Sequence, residues 1–215
     1  MKILLFGATG SAGAAVLEAC LAASIVEEVR AIVRRPLMDT SPKLRTFVHK
    51  DFLDYATVED AFRSVDACFF CLGISATQVS QEEYRTITYS YTLTAANMFK
   101  AKSPGAAFHY ISGRGTKAGS RMFWAGVKAQ TEHDLIDLVD ANCWRPAFIG
   151  AKPSPSLPKV YSLIQPLARL LKPFPDLYVH GHDIGRAMLQ ATSERLRSRI
   201  IENAEIRQIA ARANF

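Results

Sequence analysis

The sequence predicts a doubly wound α/β domain, a mostly parallel sheet with helices on both faces, and three observations predict it. Short apolar runs alternate along the chain with longer stretches of helical period. The runs are nearly continuous in apolar character, as strands covered on both faces require. A glycine-rich turn, Gly7-Ala8-Thr9-Gly10-Ser11-Ala12-Gly13, directly follows the first of them.

From the amino terminus, residues 2–6, 28–33, 66–72, 107–111 and 142–145 read as strands, with a weaker one at 46–49. Between them, Val16, Leu17, Cys20 and Leu21 recur at helical spacing behind the glycines. Tyr84, Ile87, Tyr91, Ala95 and Met98 do the same over four turns, as do Leu135, Ile136 and Val139 behind Lys128. Seven of the ten prolines then fall between Pro146 and Pro175, so that stretch is not one continuous helix. The expected layout is a single domain over 1–215, with its core in about 1–150 and a small C-terminal portion, about 151–180, on the substrate side of the cleft. For the apolar 152–175 stretch a cover over the site, a helix pair on the sheet edge and a membrane-surface role all stay open.

With 215 residues, 49% of them hydrophobic and 21% charged, the chain is long enough to bury one core. A chain of this size hides roughly 70% of its unfolded surface, which excludes disordered, collagenous and small stapled scaffolds. The first apolar run, Ile3 to Phe6, is broken by Gly7 and is too short for an export signal or a membrane span. Cys20, Cys68, Cys71 and Cys143 lie scattered in apolar stretches, as reduced thiols of a cytoplasmic protein would. The formal charge of +6 sits late: residues 1–145 hold 16 basic and 15 acidic groups, and 146–215 hold 10 and 5. No basic run or Cys/His finger spacing accompanies it, so nucleic-acid binding is not the expected function.

The glycine turn carries the chemistry. A diphosphate must meet bare backbone N–H groups at a helix N-terminus, and that approach leaves no room for a Cβ. Gly7 and Gly10 allow the turn and the approach, and Gly13 lets the helix pack on the strand. The amides of Ser11 and Ala12, with the Thr9 hydroxyl, then face a dinucleotide pyrophosphate, which makes the fold of the Rossmann type. About 20 residues beyond the glycines a carboxylate normally accepts the adenosine ribose hydroxyls. Here Arg34 and Arg35 stand there. Guanidiniums pair with a 2′-phosphate through charge-assisted bonds, which favours NADP(H) over NAD(H). Two solvated arginines at a strand end are the alternative.

These residues, with Asp51-Phe52 after the third strand, Cys71-Leu72-Gly73 after the fourth, Ser112 after the fifth, Lys128 in the next helix and Arg145-Pro146 after the sixth, occur in an order that resembles the short-chain dehydrogenase/reductase superfamily in its atypical branch. Within it the chain is similar to the small proteins related to the human Tat-interacting protein and, more distantly, to the nitrogen-metabolite-repression regulators. The resemblance implies that Asp51 and Phe52 border the adenine. It implies that Cys71, Leu72 and Gly73 run beside the adenosine ribose and pyrophosphate. Lys128 would hold the nicotinamide ribose, and Pro146 joins the cofactor contacts by the same order.

The family's chemistry needs a tyrosine whose phenol is eased toward neutral pKa by a lysine four residues later, with a serine about a dozen residues upstream. Here the helix reads Trp124-Ala125-Gly126-Val127-Lys128, with Ser112 in the serine's place. Indole N–H donates but does not ionise, so Trp124 does not shuttle a proton. The position of the family's catalytic asparagine corresponds to Tyr91. Two functions follow: an NADP(H)-dependent oxidoreductase drawing its proton from Ser112, Tyr110 or water, or a non-catalytic redox sensor that binds the dinucleotide and acts on a protein partner. A third option is an interaction module whose fold is vestigial. The small-molecule substrate or partner stays unidentified.

Other constellations read as structural. Cys68 and Cys71, three apart on a strand, face opposite sides and form no redox pair. His180 and His182 lack a third ligand for zinc, although either is a candidate for the substrate end. Asp183 is expected to cap a helix over 184–191. Arg114 and Lys117, in the loop after Ser112, are candidates for an anionic substrate group or else solvated charges.

Overall fold

The structure is a computed structural model, and it describes residues 1–150 and 169–215. The expected cleft-covering stretch lies largely outside the described residues.

The strands are β1 (Lys2–Phe6), β2 (Glu28–Val33), β3 (Leu44–Val48), β4 (Ala67–Phe70), β5 (Ala107–Ile111), β6 (Asn142–Arg145), β7 (Phe148–Gly150), β8 (Tyr178–His180) and β9 (Ile200–Glu202). The helices are α1 (Ser11–Ala22), α2 (Gln81–Arg85), α3 (Tyr91–Lys102), α4 (Phe123–Val139), α5 (Gly181–Ser193) and α6 (Asn203–Arg212). Seven strands form one sheet in the order β3-β2-β1-β4-β5-β6-β9. Every pairing in it is parallel. β7 and β8 form a second, two-stranded sheet.

The continuous apolar runs have the expected cause. Within β1, Ile3 and Leu5 enter the core on one face, while Leu4 and Phe6 enter the core on the other. β4 divides in the same way, Ala67 and Phe69 against Cys68 and Phe70. One core also takes residues of α1, α5 and α6, and the other takes residues of α3, α4 and the 3₁₀ turn Ala56–Phe62. The chain is therefore doubly wound. Arg30, buried in β2, donates from Nη1 to the carbonyls of Asp60 and Arg63 and from Nη2 to Glu28, while its Nε has no partner among the described residues. Among the described residues, no helix is long and apolar enough to cross a membrane.

The strands at 2–6, 28–33, 107–111 and 142–145 fall where the sequence puts them, while 46–49 becomes 44–48 and 66–72 shortens to 67–70. β7, β8 and β9, three residues each, are the strands the apolar pattern misses, and β9 extends the main sheet. β9 lies at the sheet edge and consists of Ile200, Ile201 and Glu202, directly after Arg199. The carboxyl-terminal residues thus do more than flank a cleft, since α5 packs on α1 and returns the chain to the sheet. A Cβ on Gly185 would lie 2.5 Å from the Ala19 Cβ, so glycine sets that close crossing. The helix expected over 184–191 runs from Gly181 to Ser193. Asp183 accordingly lies in its first turn and not at its cap, where it favours the helix through the dipole.

One buried polar network ties β5, β6 and α5. Trp144 Nε1 donates to His109 Nδ1 at 3.1 Å, and His109 Nε2 meets the Thr192 hydroxyl at 3.1 Å. Thr192 in turn donates to the Met188 carbonyl, so the neutral His109 donates from Nε2. Burial, aided by the Arg197 charge, pushes the His109 pKa down to about 3 from its usual 6.5. The folded protein therefore refuses a proton that the unfolded chain takes up below pH 6.5. This contribution to stability is complete above pH 6.5 and is lost as pH falls toward 3, at about 1.4 kcal/mol per unit. Denaturant titrations from pH 8 to 4 should show His109→Phe less stable at neutral pH, with the gap to the parent narrowing steadily in acid. A gap independent of pH would contradict this.

Candidate functional site

The sheet order places β2 on one side of β1 and β4 on the other, so the chain reverses direction at β1/β4 and leaves a crevice at their carboxyl ends. The glycine turn fills that corner. Gly7 has φ +77°, and a Cβ there would lie 2.6 Å from the backbone of Cys71 and Leu72. Gly13 opens α1 so close to the turn that its Cβ would lie 2.0 Å from the Gly7 carbonyl oxygen. The Gly10 amide closes the turn on that same oxygen at 2.9 Å. Two glycines are thus required by the protein's own backbone.

The N-terminus of α1 is left uncapped. Gly10 stands at the cap without a side chain, and the first turn carries no acidic group. The amides of Ser11 and Ala12 start the helix beside the exposed Thr9. Gly73, beyond β4, has nothing within 4 Å of where its Cβ would be. A cradle of this shape, with free helix amides, fits a diphosphate.

The other predicted cofactor residues line up along the same edge. Arg34 and Arg35 directly follow β2, whose Ile32 pairs with Phe6 of β1, and both are exposed. Neither takes part in an ion pair among the described residues. Asp51 is exposed, and its carboxylate accepts from the Leu53 amide at 3.0 Å. Phe52 is buried and stacked on Tyr91 with centroids 5.5 Å apart. Tyr91 is thereby a packing residue. Cys71 is buried on one face with Cys20, and Cys68 on the other with Cys143, so the two thiols do not meet. Burial raises all four thiols well above their usual range.

Beyond β5 the structure brings Ser112 and Lys128 together. The Lys128 ammonium donates to the Ser112 carbonyl at 2.5 Å and lies 5.8 Å from the centre of the Tyr110 ring. Desolvation pushes its pKa down to about 8, against the pull of Glu132 one turn later. The Ser112 hydroxyl, buried, shares a hydrogen bond with Thr116 at 3.1 Å. Trp124 lies at the start of α4 with its ring 3.4 Å from the Cβ position of Gly115, so the indole packs against the loop after Ser112. Tyr110 is not available as an acid. It is fully buried, bonded to Thr131, and its phenol is held well above its usual pKa by desolvation.

A cavity of about 490 Å³ opens past β5 and β6. It is open to solvent, and among the described residues it is lined by Ile111, Ser112, Gly113 and Arg114, by Pro146 to Ile149, and by Leu171 and Leu177. Neither His180 nor His182 lines it. Both are exposed, and His180 leans on the Tyr178 hydroxyl at 3.3 Å. Lys117 is exposed outside it.

Two residues that sequence reasoning passed over hold this end of the site. Asn203, buried, accepts from the Ala147 amide at 2.7 Å and donates to the carbonyls of Pro175 and Tyr178. Glu132, also buried, receives Arg145 in a two-pronged pair at 3.0 and 2.6 Å. Glu132 falls one turn beyond Lys128 in a helix otherwise patterned for burial, which was the available signal. Nothing in the sequence marked Asn203.

A model of the family described as NAD(P)H-binding matches residues 7–117, just over half of the chain, from the glycine turn into the loop after Ser112. The chain belongs to that NAD(P)H-binding family. Over about 140 residues, 64% of its length, it is 27% identical to two curated proteins. These are leucinostatins biosynthesis cluster protein T of Purpureocillium lilacinum and protein FMP52-1, mitochondrial, of Scheffersomyces stipitis. The match spans 52% and 62% of those proteins.

The family fold is equally plain in solved structures. A short-chain dehydrogenase family protein from Francisella tularensis superposes with a TM-score of 0.68 at 15% identity, over 93% of this chain and 95% of that one. A UDP-glucuronic acid 4-epimerase from Bacillus cereus, in complex with NAD, gives 0.71 at 15% identity, over 94% and 76%. The Rossmann-type fold of the short-chain dehydrogenases and epimerases is therefore the fold of this NAD(P)H-binding protein.

Proposed function

We propose that this protein is an atypical short-chain dehydrogenase/reductase that binds NADP(H) in preference to NAD(H). The observation that carries it is the glycine corner at β1/β4, where Gly7 and Gly13 are packed to the limit and the first amides of α1 are left free. In this reading those amides, with Thr9, Ser11 and Ala12, hold the pyrophosphate. Arg34 and Arg35 pair with the 2′-phosphate, and Asp51 and Phe52 border the adenine. Cys71, Leu72 and Gly73 run beside the adenosine ribose, and Pro146 borders the far end. The four buried thiols are consistent with a reducing compartment such as the cytoplasm.

Ser112 and Lys128 would border a bound nicotinamide, whose chemistry would be hydride exchange with a carbonyl or alcohol carbon. Lys128, still largely protonated at neutral pH, offers its remaining N–H groups to the nicotinamide ribose while anchored on Ser112. Trp124 donates a hydrogen bond at most. The proton would then come from water, directly or relayed through the Ser112 hydroxyl as water reprotonates it, which predicts slow chemistry, since a missing general acid costs about 10² to 10⁴ in rate.

The second reading is a redox sensor that binds NADP(H) without turnover and signals to a protein partner. Two observations favour it: the indole of Trp124 is used to pack the loop at Gly115, and Tyr110 is sealed in the core.

The cofactor preference is tested by replacing Arg34 and Arg35 together with alanine. Loss of a charge-assisted bond costs about 1.5–3 kcal/mol, so NADPH affinity should drop by about 10- to 150-fold while NADH affinity stays within about threefold. Equal losses for both nucleotides would refute the preference.

A further inference from the structure

The walls of the 490 Å³ cavity differ sharply from their one charged member. Ile111, Pro146, Phe148, Ile149, Leu171 and Leu177 are apolar, and among the described lining residues Arg114 carries the charge. That guanidinium is exposed, and it makes no ion pair among the described residues. Its main chain is nevertheless fixed. The Arg114 amide donates to the Pro146 carbonyl at 2.9 Å, and Thr116 clasps the Gly113 carbonyl at 2.8 Å. Asn203 holds the opposite wall through the Ala147 amide. A fork of donors on a pinned loop, at the edge of an apolar lining, is a recognition element for a planar anion joined to an apolar body.

We infer that this cavity binds an amphipathic carboxylate, with its acid group paired to Arg114 and its hydrocarbon body against Phe148, Ile149, Leu171 and Leu177. The volume lies within the range of small-molecule sites, roughly 300–1,000 Å³. Resting on the nucleotide reading above, this makes the substrate class of the protein an apolar oxo or hydroxy acid, because the cavity begins at Ser112 beside Lys128. The carboxylate is fixed at the Arg114 side, and the remaining length lies along the leucines.

Decanoate is the probe, since it has the acid and the body but nothing to reduce. It is titrated calorimetrically into the full chain with and without saturating NADPH, beside decanol, for the parent and for Arg114→Gln. The expected result is decanoate binding that weakens at least tenfold in Arg114→Gln, with decanol binding within twofold of the parent. A second variant, Leu177→Asp, should weaken both probes, as the apolar wall is shared. Decanoate that fails to bind in either state, or that binds parent and Arg114→Gln alike, overturns the inference. Failure of NADPH alone to bind is read separately, because the Arg114 effect on decanoate is measured in the nucleotide-free protein as well.

Discussion

Gly13→Ala should abolish nucleotide binding and destabilise the protein together. The added methyl would lie 2.0 Å from the Gly7 carbonyl oxygen, and that oxygen is itself fixed by the Gly10 amide. It has no slack to yield, because Gly7 is pressed against the backbone of Cys71 and Leu72 on its other side. Either α1 withdraws from the turn or the turn opens, and both movements displace the amides aimed at the pyrophosphate. Overpacking of this kind costs about 3 kcal/mol, which for a chain of this size lowers the melting temperature by about 6–12 °C. NADPH affinity should fall by at least about 100-fold, more than the stability loss alone produces, because the helix amides lose their aim. Gly126→Ala is the control. Its Cβ meets nothing within 4 Å in the interior of α4, so it should be neutral or stabilising by up to about 1 kcal/mol.

The second large effect lies at Glu132. Its carboxylate is 3% exposed and takes both prongs of Arg145, whose remaining nitrogen reaches Glu202 at 2.9 Å. Removing one partner of such a pair leaves the other desolvated and uncompensated, at a cost of about 3–5 kcal/mol. Glu132→Ala should therefore lower the melting temperature by about 6–20 °C. Functional loss should go beyond stability, because Arg145 precedes the Pro146 to Ile149 wall of the cavity, and Glu132 shares its helix with Lys128. Replacing both partners by apolar residues, Glu132→Leu with Arg145→Met, should recover most of the stability. If the double variant is no better than Glu132→Ala, the loss does not come from the orphaned guanidinium.

The fold was legible because its determinants are local. Ile3 to Phe6 and Ala67 to Phe70 are buried on both faces, and that condition is written directly in a run of apolar residues. The glycine corner was legible because a Cβ is forbidden there by the protein's own backbone. β9 was not, since two isoleucines and a glutamate behind an arginine carry no period, and pairing with β6 makes them a strand. Asp183 misled because the chain starts α5 at Gly181, where burial against α1 sets the boundary and the capping preference does not. Tyr110 looked available by its proximity to Ser112 in sequence, yet alternation along β5 turns its side chain into the core. The roles of Asn203 and Glu132 depend on partners 56 and 13 residues away, a relation that no single window contains.

The most direct test is a calorimetric titration of NADPH and NADH into the purified full chain. Binding of NADPH with micromolar affinity, at least about tenfold tighter than NADH, is the predicted result. No affinity for either nucleotide at millimolar concentration would contradict the glycine corner as a diphosphate site, and with it the function proposed for this chain.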